Sequence, residues 1–143
     1  MQHGRRWLAG SLILCGLVLS ACAHLPEEEE AINEPATLVA IEGSDVSRIT
    51  LTERAVERVD VQVSPVVDAG SGTVIPYGAV FYTATGETWT YTNPEPLTYV
   101  RVPIVVDRIS GDRAFLSDGP PSGMDVVTQG ASELYGTETD VEE

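Results

Sequence analysis

From Arg48 onward the chain alternates apolar and polar residues in short bursts separated by turn-formers. Ile49 and Leu51 lie on one side of a short strand, and Thr52-Glu53-Arg54-Ala55 then has the form of an N-cap followed by one or two helical turns. Val59, Val61 and Val63 alternate with Asp60 and Gln62, which predicts a half-buried strand. Asp68-Ala69-Gly70-Ser71-Gly72 is a flexible loop. Strands are then expected over Thr73–Ile75, Ala79–Thr83, Thr88–Thr92, Thr98–Val106, Arg108–Ser117 and Val126–Thr128.

The separators Thr85-Gly86, Asn93-Pro94-Glu95-Pro96, Ser110-Gly111-Asp112 and Asp118-Gly119-Pro120-Pro121 are all turn chemistry. In the longest strand, period two places Val100, Val102, Ile104 and Val106 on one face. Tyr99, Arg101, Pro103 and Val105 fall on the other, with Pro103 suggesting an edge or a bulge. Gly130–Tyr135 reads as a closing helical turn and residues 137–143 as an acidic tail. The fold expected over residues 48–136 is mainly β: a small antiparallel barrel or sandwich of about six to eight strands with one short helix.

The N-terminus has a different pattern. Arg5 and Arg6 precede an apolar run from Trp7 to Leu19, and Leu19-Ser20-Ala21-Cys22 follows as a small-residue cleavage site ending in cysteine. Charged n-region, apolar h-region and cleavage site are the parts of a secretory signal. The run of 13 residues is short of the about 20 a spanning helix needs. Residues 1–21 are therefore expected to be a lipoprotein signal peptide, with Leu19, Ser20 and Ala21 as its lipobox and Cys22 as the lipidated residue. Cys15 follows Ile13 and Leu14, a poor cleavage context, and belongs to the signal. Residues 22–47, with Pro26, Glu27-Glu28-Glu29-Glu30 and Pro35, read as a disordered acidic tether. Within it Leu38–Ile41 could pair as a short edge strand.

Charge and composition narrow the functions. The chain has no lysine and a net charge of −14, and losing Arg5 and Arg6 with the signal makes it two units more negative. Nucleic acid, which needs a basic footprint, is not an expected partner. Membrane attachment must come from acyl chains rather than charge. The mature chain keeps one histidine, His24, and no free thiol, so a zinc site or a Cys–His or Ser–His pair cannot be assembled. Gly70-Ser71-Gly72 lacks the Lys-Ser/Thr of a phosphate-binding loop. No catalytic residue, metal or cofactor is expected, and the protein reads as a non-enzyme. Trp89 and Tyr91, with Phe81 and Tyr82, could form a ligand-stacking surface, although alternating aromatics in adjoining strands usually serve as core and cross-strand pairs.

Several segments resemble one family. Val74-Ile75-Pro76-Tyr77-Gly78-Ala79-Val80 and Gly86-Glu87-Thr88-Trp89-Thr90-Tyr91 resemble a passage of periplasmic adaptor proteins, the membrane fusion proteins of tripartite resistance-nodulation-division efflux pumps. Val100–Val106, Gly111-Asp112-Arg113-Ala114-Phe115-Leu116 and Ser122–Leu134 are similar to the segments that follow in that family, and Ile49–Val63 to its opening segment. The resemblance covers residues 48–136 and implies the adaptors' membrane-proximal domain alone. The lipoyl-like domain, helical hairpin and barrel of a full adaptor have no counterpart between Pro65 and Gly72. It implies a lipid-anchored accessory or docking module for a transporter or a full-length adaptor, with Tyr77, Tyr99 and Arg101 as the expected contact residues. The alternative is an envelope lipoprotein that binds a small molecule or cell-wall component at Trp89 and Tyr91, and a third reading is a remnant with a structural role. Ala23 after the lipidated cysteine is not the aspartate associated with inner-membrane retention. The expected location is thus extracytoplasmic: the outer membrane of a two-membrane cell, or otherwise the outer face of the cytoplasmic membrane.

Overall fold

Residues 34–139 are described by a computed structural model. The expected signal peptide, the lipobox and Cys22 lie outside them. Half of the described residues are in strands, arranged as two antiparallel sheets with two α-helices and no closed barrel.

In chain order the elements are β1 (Ala36–Ala40), β2 (Ser47–Leu51), α1 (Glu53–Val59), β3 (Gln62–Pro65), β4 (Val67–Asp68), β5 (Thr73–Pro76), a 3-10 turn (Tyr77–Ala79), β6 (Phe81–Tyr82), β7 (Thr88–Glu95), β8 (Thr98–Pro103), β9 (Val105–Ser110), β10 (Arg113–Asp118), β11 (Asp125–Gln129) and α2 (Ala131–Thr139). The larger sheet runs β1-β2-β8-β7-β11-β3, with β6 beside the start of β7; the smaller runs β4-β5-β10-β9.

The two sheets form a sandwich, and the larger one is covered on both faces. Adjacent residues of β11 show this: Val127 packs with Ile49, Leu51, Tyr91 and Tyr99 against Ala55 of α1 and Leu134 of α2. Val126 turns the other way and packs with Ile75, Ile104, Ala114 and Leu116 between the sheets. Successive strand residues point to opposite faces, so one strand serves two cores.

Local chemistry explains several boundaries. The Thr52 hydroxyl accepts the Ala55 N–H at 3.2 Å and starts α1 as expected. Asp60 closes that helix in a left-handed conformation, φ 55°. Val59 therefore ends a helix instead of opening a strand, and β3 starts only at Gln62. Gly72 has φ +123°, and a Cβ there would run into the Leu116 carbonyl oxygen, so the loop can lie against β10 only as glycine.

The structure departs from the sequence reading in five further places. There are eleven strands rather than six to eight, because long apolar runs break and two-residue strands add to the count. Residues 36–40, within the expected tether, pair with β2 from Ala36↔Leu51 to Ala40↔Ser47, so the short edge strand read at Leu38–Ile41 forms but begins two residues earlier and extends the domain into the tether. Thr137, Glu138 and Thr139, expected in an acidic tail, continue α2, which makes a second helix of nine residues. The run Thr98–Val106 divides at the buried Ile104, where the chain passes from the larger sheet to the smaller. Tyr99 and Arg101, expected on the contact face, are buried like Ile104 of the opposite face, and Val105 beyond the break is exposed. Among the described residues no helix is long and apolar enough to cross a membrane.

Candidate functional site

The expected contact and ligand residues separate into two places. Tyr91 on β7 and Arg101 on β8 are direct cross-strand partners, so their side chains share the face of the larger sheet that the helices cover. Glu138, one residue before the end of α2, reaches both. The Tyr91 hydroxyl donates to Glu138 Oε2 at 2.6 Å, and Arg101 Nη2 donates to Oε1 at 3.4 Å. The Ser47 backbone N–H donates to Oε1 at 3.0 Å. Arg101 Nε lies 3.2 Å from Oε2, an ionic contact out of line for a hydrogen bond. The guanidinium carbon stands 4.4 Å from the Trp89 ring centroid and 5.4 Å from that of Tyr135 on α2.

This cluster is internal. Tyr91 is 0 % exposed, Tyr99 4 % and Arg101 8 %. Burial, then the hydrogen bond to the Glu138 carboxylate, pushes the Tyr91 phenol far above its usual value of 10.0. Burial raises Tyr99 as well. Tyr99 and Arg101 therefore do not offer the contact surface expected of them, and Tyr91 does not offer a ligand platform. Trp89, partly buried, lies beneath Arg101. The physical reason is α2, which runs on past the single turn expected for it and covers this face with Leu134, Tyr135 and Glu138.

Tyr77 differs from the other four: it is 40 % exposed, and its N–H donates to the Asp112 carbonyl at 2.7 Å. Tyr82 is also exposed, and the neighbouring Tyr77 raises the Tyr82 phenol above its usual value, with burial adding to the shift.

From the Asp112 end a second feature extends over the smaller sheet. The register Val67↔Val74, Val74↔Phe115 and Phe115↔Arg108 sets one residue from each of β4, β5, β10 and β9 in a single row. Their alternation partners Ile75, Ala114 and Leu116 fill the core between the sheets, so the row faces outward. Val67 is 56 % exposed and Arg108 is exposed, Phe115 is half-buried, and Val74 between them is 8 % exposed, so the ends of the row and not its centre meet solvent. The Arg108 guanidinium carbon stands 3.4 Å from the Phe115 ring centroid and closes one end. A groove of about 420 Å³ follows the row, with Val67, Val74, Pro65 and Phe115 as apolar lining and Asp68, Asp112 and Arg113 as charged lining.

None of Val67, Val74 and Phe115 was singled out from the sequence as a contact residue. Each is an ordinary strand residue, and only strand pairing puts them side by side. Among the described residues no group of three His, Cys, Asp or Glu side chains is placed to hold a metal ion. No protein-family model, curated protein or solved structure matches the chain.

Proposed function

We propose that this protein is a non-enzymatic docking module of the cell envelope, anchored through lipid on Cys22 and related to the membrane-proximal domain of efflux-pump adaptors. Its partner in this reading is an extracytoplasmic protein, a transporter or a full-length adaptor. The observation that carries the docking role is the outward row Val67–Val74–Phe115–Arg108 with its groove. An apolar strip ending in an arginine over an aromatic ring has the composition of an interface centre, where aromatic residues and arginine are enriched.

Docking on the face is favoured over strand addition at the β9 edge. Arg108 pairs with Phe115 and Val106 with Leu116, which leaves Asp107 as an extra residue, a bulge in that edge. A bulge carrying a charge is a device that discourages edge pairing. The ligand-binding alternative at Trp89 and Tyr91 loses support from the burial of Tyr91 and the covering of Trp89 by Arg101.

Two measurements test the proposal. Mass spectrometry of the membrane-extracted protein is expected to find diacylglycerol on Cys22 and no residues before it. Co-purification from solubilised membranes is expected to recover a transporter or adaptor subunit with the wild-type chain and to lose it with Val67→Asp, at unchanged thermal stability. Recovery of the same subunit with both proteins would sink the assignment of the face.

A further inference from the structure

The two sheets end on the outer strands β1, β3, β4 and β9, and three of these are blunted against further pairing. β9 carries the bulge at Asp107, and β4 is two residues long. β3 ends in Pro65 and shifts register against β11. β1 has none of these devices. Ala36-Thr37-Leu38-Val39-Ala40 contains no charge, proline or bulge, in a chain with 22 acids, and Val39 is 57 % exposed.

The ladder to β2 fixes which backbone groups of β1 face outward. The Thr52 N–H donates to the Pro35 carbonyl at 3.0 Å, and the Ile41 N–H to the Val46 carbonyl at 3.1 Å. Hydrogen-bonded pairs alternate in an antiparallel ladder, so Pro35, Thr37, Val39 and Ile41 turn their backbone groups toward β2. The N–H and C=O of Ala36, Leu38 and Ala40 point away from it, and among the described residues no strand lies beyond them.

We propose that β1 is a self-association edge, on which β1 of a second copy pairs antiparallel about a two-fold axis at Leu38. This register sets Ala36 opposite Ala40 of the second copy and Leu38 opposite Leu38, so every outward N–H and C=O of both strands is paired. A shift of two residues either way leaves one of the three outward residues unpaired. A shift of one sets outward groups against groups already bonded to β2. The side chains agree with the same register: alanine meets alanine, leucine meets leucine, and Thr37 meets its near-isostere Val39. The strand has nearly the same shape read in either direction, which favours a second copy over a foreign strand. Glu34 falls opposite Glu42 of the second copy at each end, both exposed and outside the strand. Their repulsion and the net charge of −14 keep the pairing weak, and salt strengthens it. The edge is independent of the docking face on the smaller sheet and of lipid on Cys22.

The described residues contain no cysteine, so introduced thiols report the register. The full chain is oxidised with copper-phenanthroline in intact cells, and joined peptides are identified by mass spectrometry. Leu38→Cys places two thiols across the axis on Cα atoms about 5.5 Å apart, within disulfide range. Thr37→Cys or Val39→Cys alone meets its own copy only diagonally, at about 7–8 Å, which is too far. Produced together, those two variants face each other at about 4.5 Å. Both positions are exposed, so this pair reads the register even where Leu38→Cys does not fold. Ile109→Cys on the exposed β9 is the comparison for chance collision. The expected result is a link between copies from Leu38→Cys, and from the mixed Thr37→Cys and Val39→Cys, several-fold above Ile109→Cys. Either of the latter two alone is expected to match Ile109→Cys. Equal yields from all three β1 positions alone, or no link above Ile109→Cys from Leu38→Cys and the mixed pair, would overturn the proposal. So would a link from Leu38→Cys only to another protein, which would assign the edge to a foreign strand.

Discussion

Arg101 and Glu138 approach to 3.2 Å with their side chains 8 % and 3 % exposed, and the pair joins the middle of the larger sheet to the last turn of α2. The carboxylate also accepts the Tyr91 hydroxyl and the Ser47 N–H, so both of its oxygens are occupied. A buried pair of this kind contributes little net stability compared with apolar residues of the same shape, but it is costly to break from one side. It ties the C-terminal helix to one position on the sheet, which is why the aromatic face of β7 and β8 is interior.

Glu138→Gln is expected to lower unfolding free energy by about 3–5 kcal/mol, because it leaves the Arg101 charge buried without its counter-ion. The combined change Arg101→Met, Glu138→Leu and Tyr91→Phe removes both charges and the hydroxyl, and is expected to cost much less than Glu138→Gln alone. Urea unfolding followed by circular dichroism measures both. A triple variant less stable than the single one would contradict this account of the cluster.

Two threonines two positions apart on β7 provide a paired prediction. Thr90 is fully buried and its hydroxyl has no hydrogen-bond partner among the described residues. The Thr92 hydroxyl donates to the Val100 carbonyl at 3.0 Å. Thr90→Val is expected to stabilise the protein by about 1 kcal/mol, and Thr92→Val to destabilise it by about 1 kcal/mol. Thermal unfolding of the two variants side by side checks this; equal shifts of the same sign would contradict the difference in hydrogen bonding.

Alkaline pH acts through the buried phenols. The folded state raises Tyr91, by burial and the Glu138 bond, and Tyr99, by burial, above the ordinary 10.0. Above that pH the unfolded chain gives up phenolic protons that the folded chain retains, so folding binds protons and stability falls as pH rises. The contribution of these two groups is complete below about pH 10 and declines above it. Phenolate absorbance during a pH titration is expected to show Tyr91 ionising only with loss of secondary structure. Full ionisation of all five tyrosines with the fold intact would contradict the buried placement.

Much of this fold is legible in the sequence where the signal is local. Thr52 caps α1 through its own side chain, and Gly111-Asp112 turns β9 into β10, both within a few residues. The facing of β8 is not local. Tyr99 and Arg101 are polar enough to read as surface, and what allows Arg101 inside is a carboxylate 37 positions later on α2. That helix is itself hard to read, since Gly136 interrupts it and Thr137, Glu138 and Thr139 resemble a solvated tail. The row on the smaller sheet depends on register: Val67, Val74 and Phe115 become neighbours only when β4, β5 and β10 pair.

The docking claim is tested most directly by a photo-crosslinking amino acid placed singly at Val67, at Tyr77 and, as a comparison, at Glu53 on α1, in the full chain in intact cells. The account predicts that Val67 and Tyr77 capture the same transporter or adaptor subunit, that Phe115→Asp removes the capture, and that Glu53 captures none of it. Capture of that subunit from Glu53 alone, with Val67 and Tyr77 silent, would contradict it.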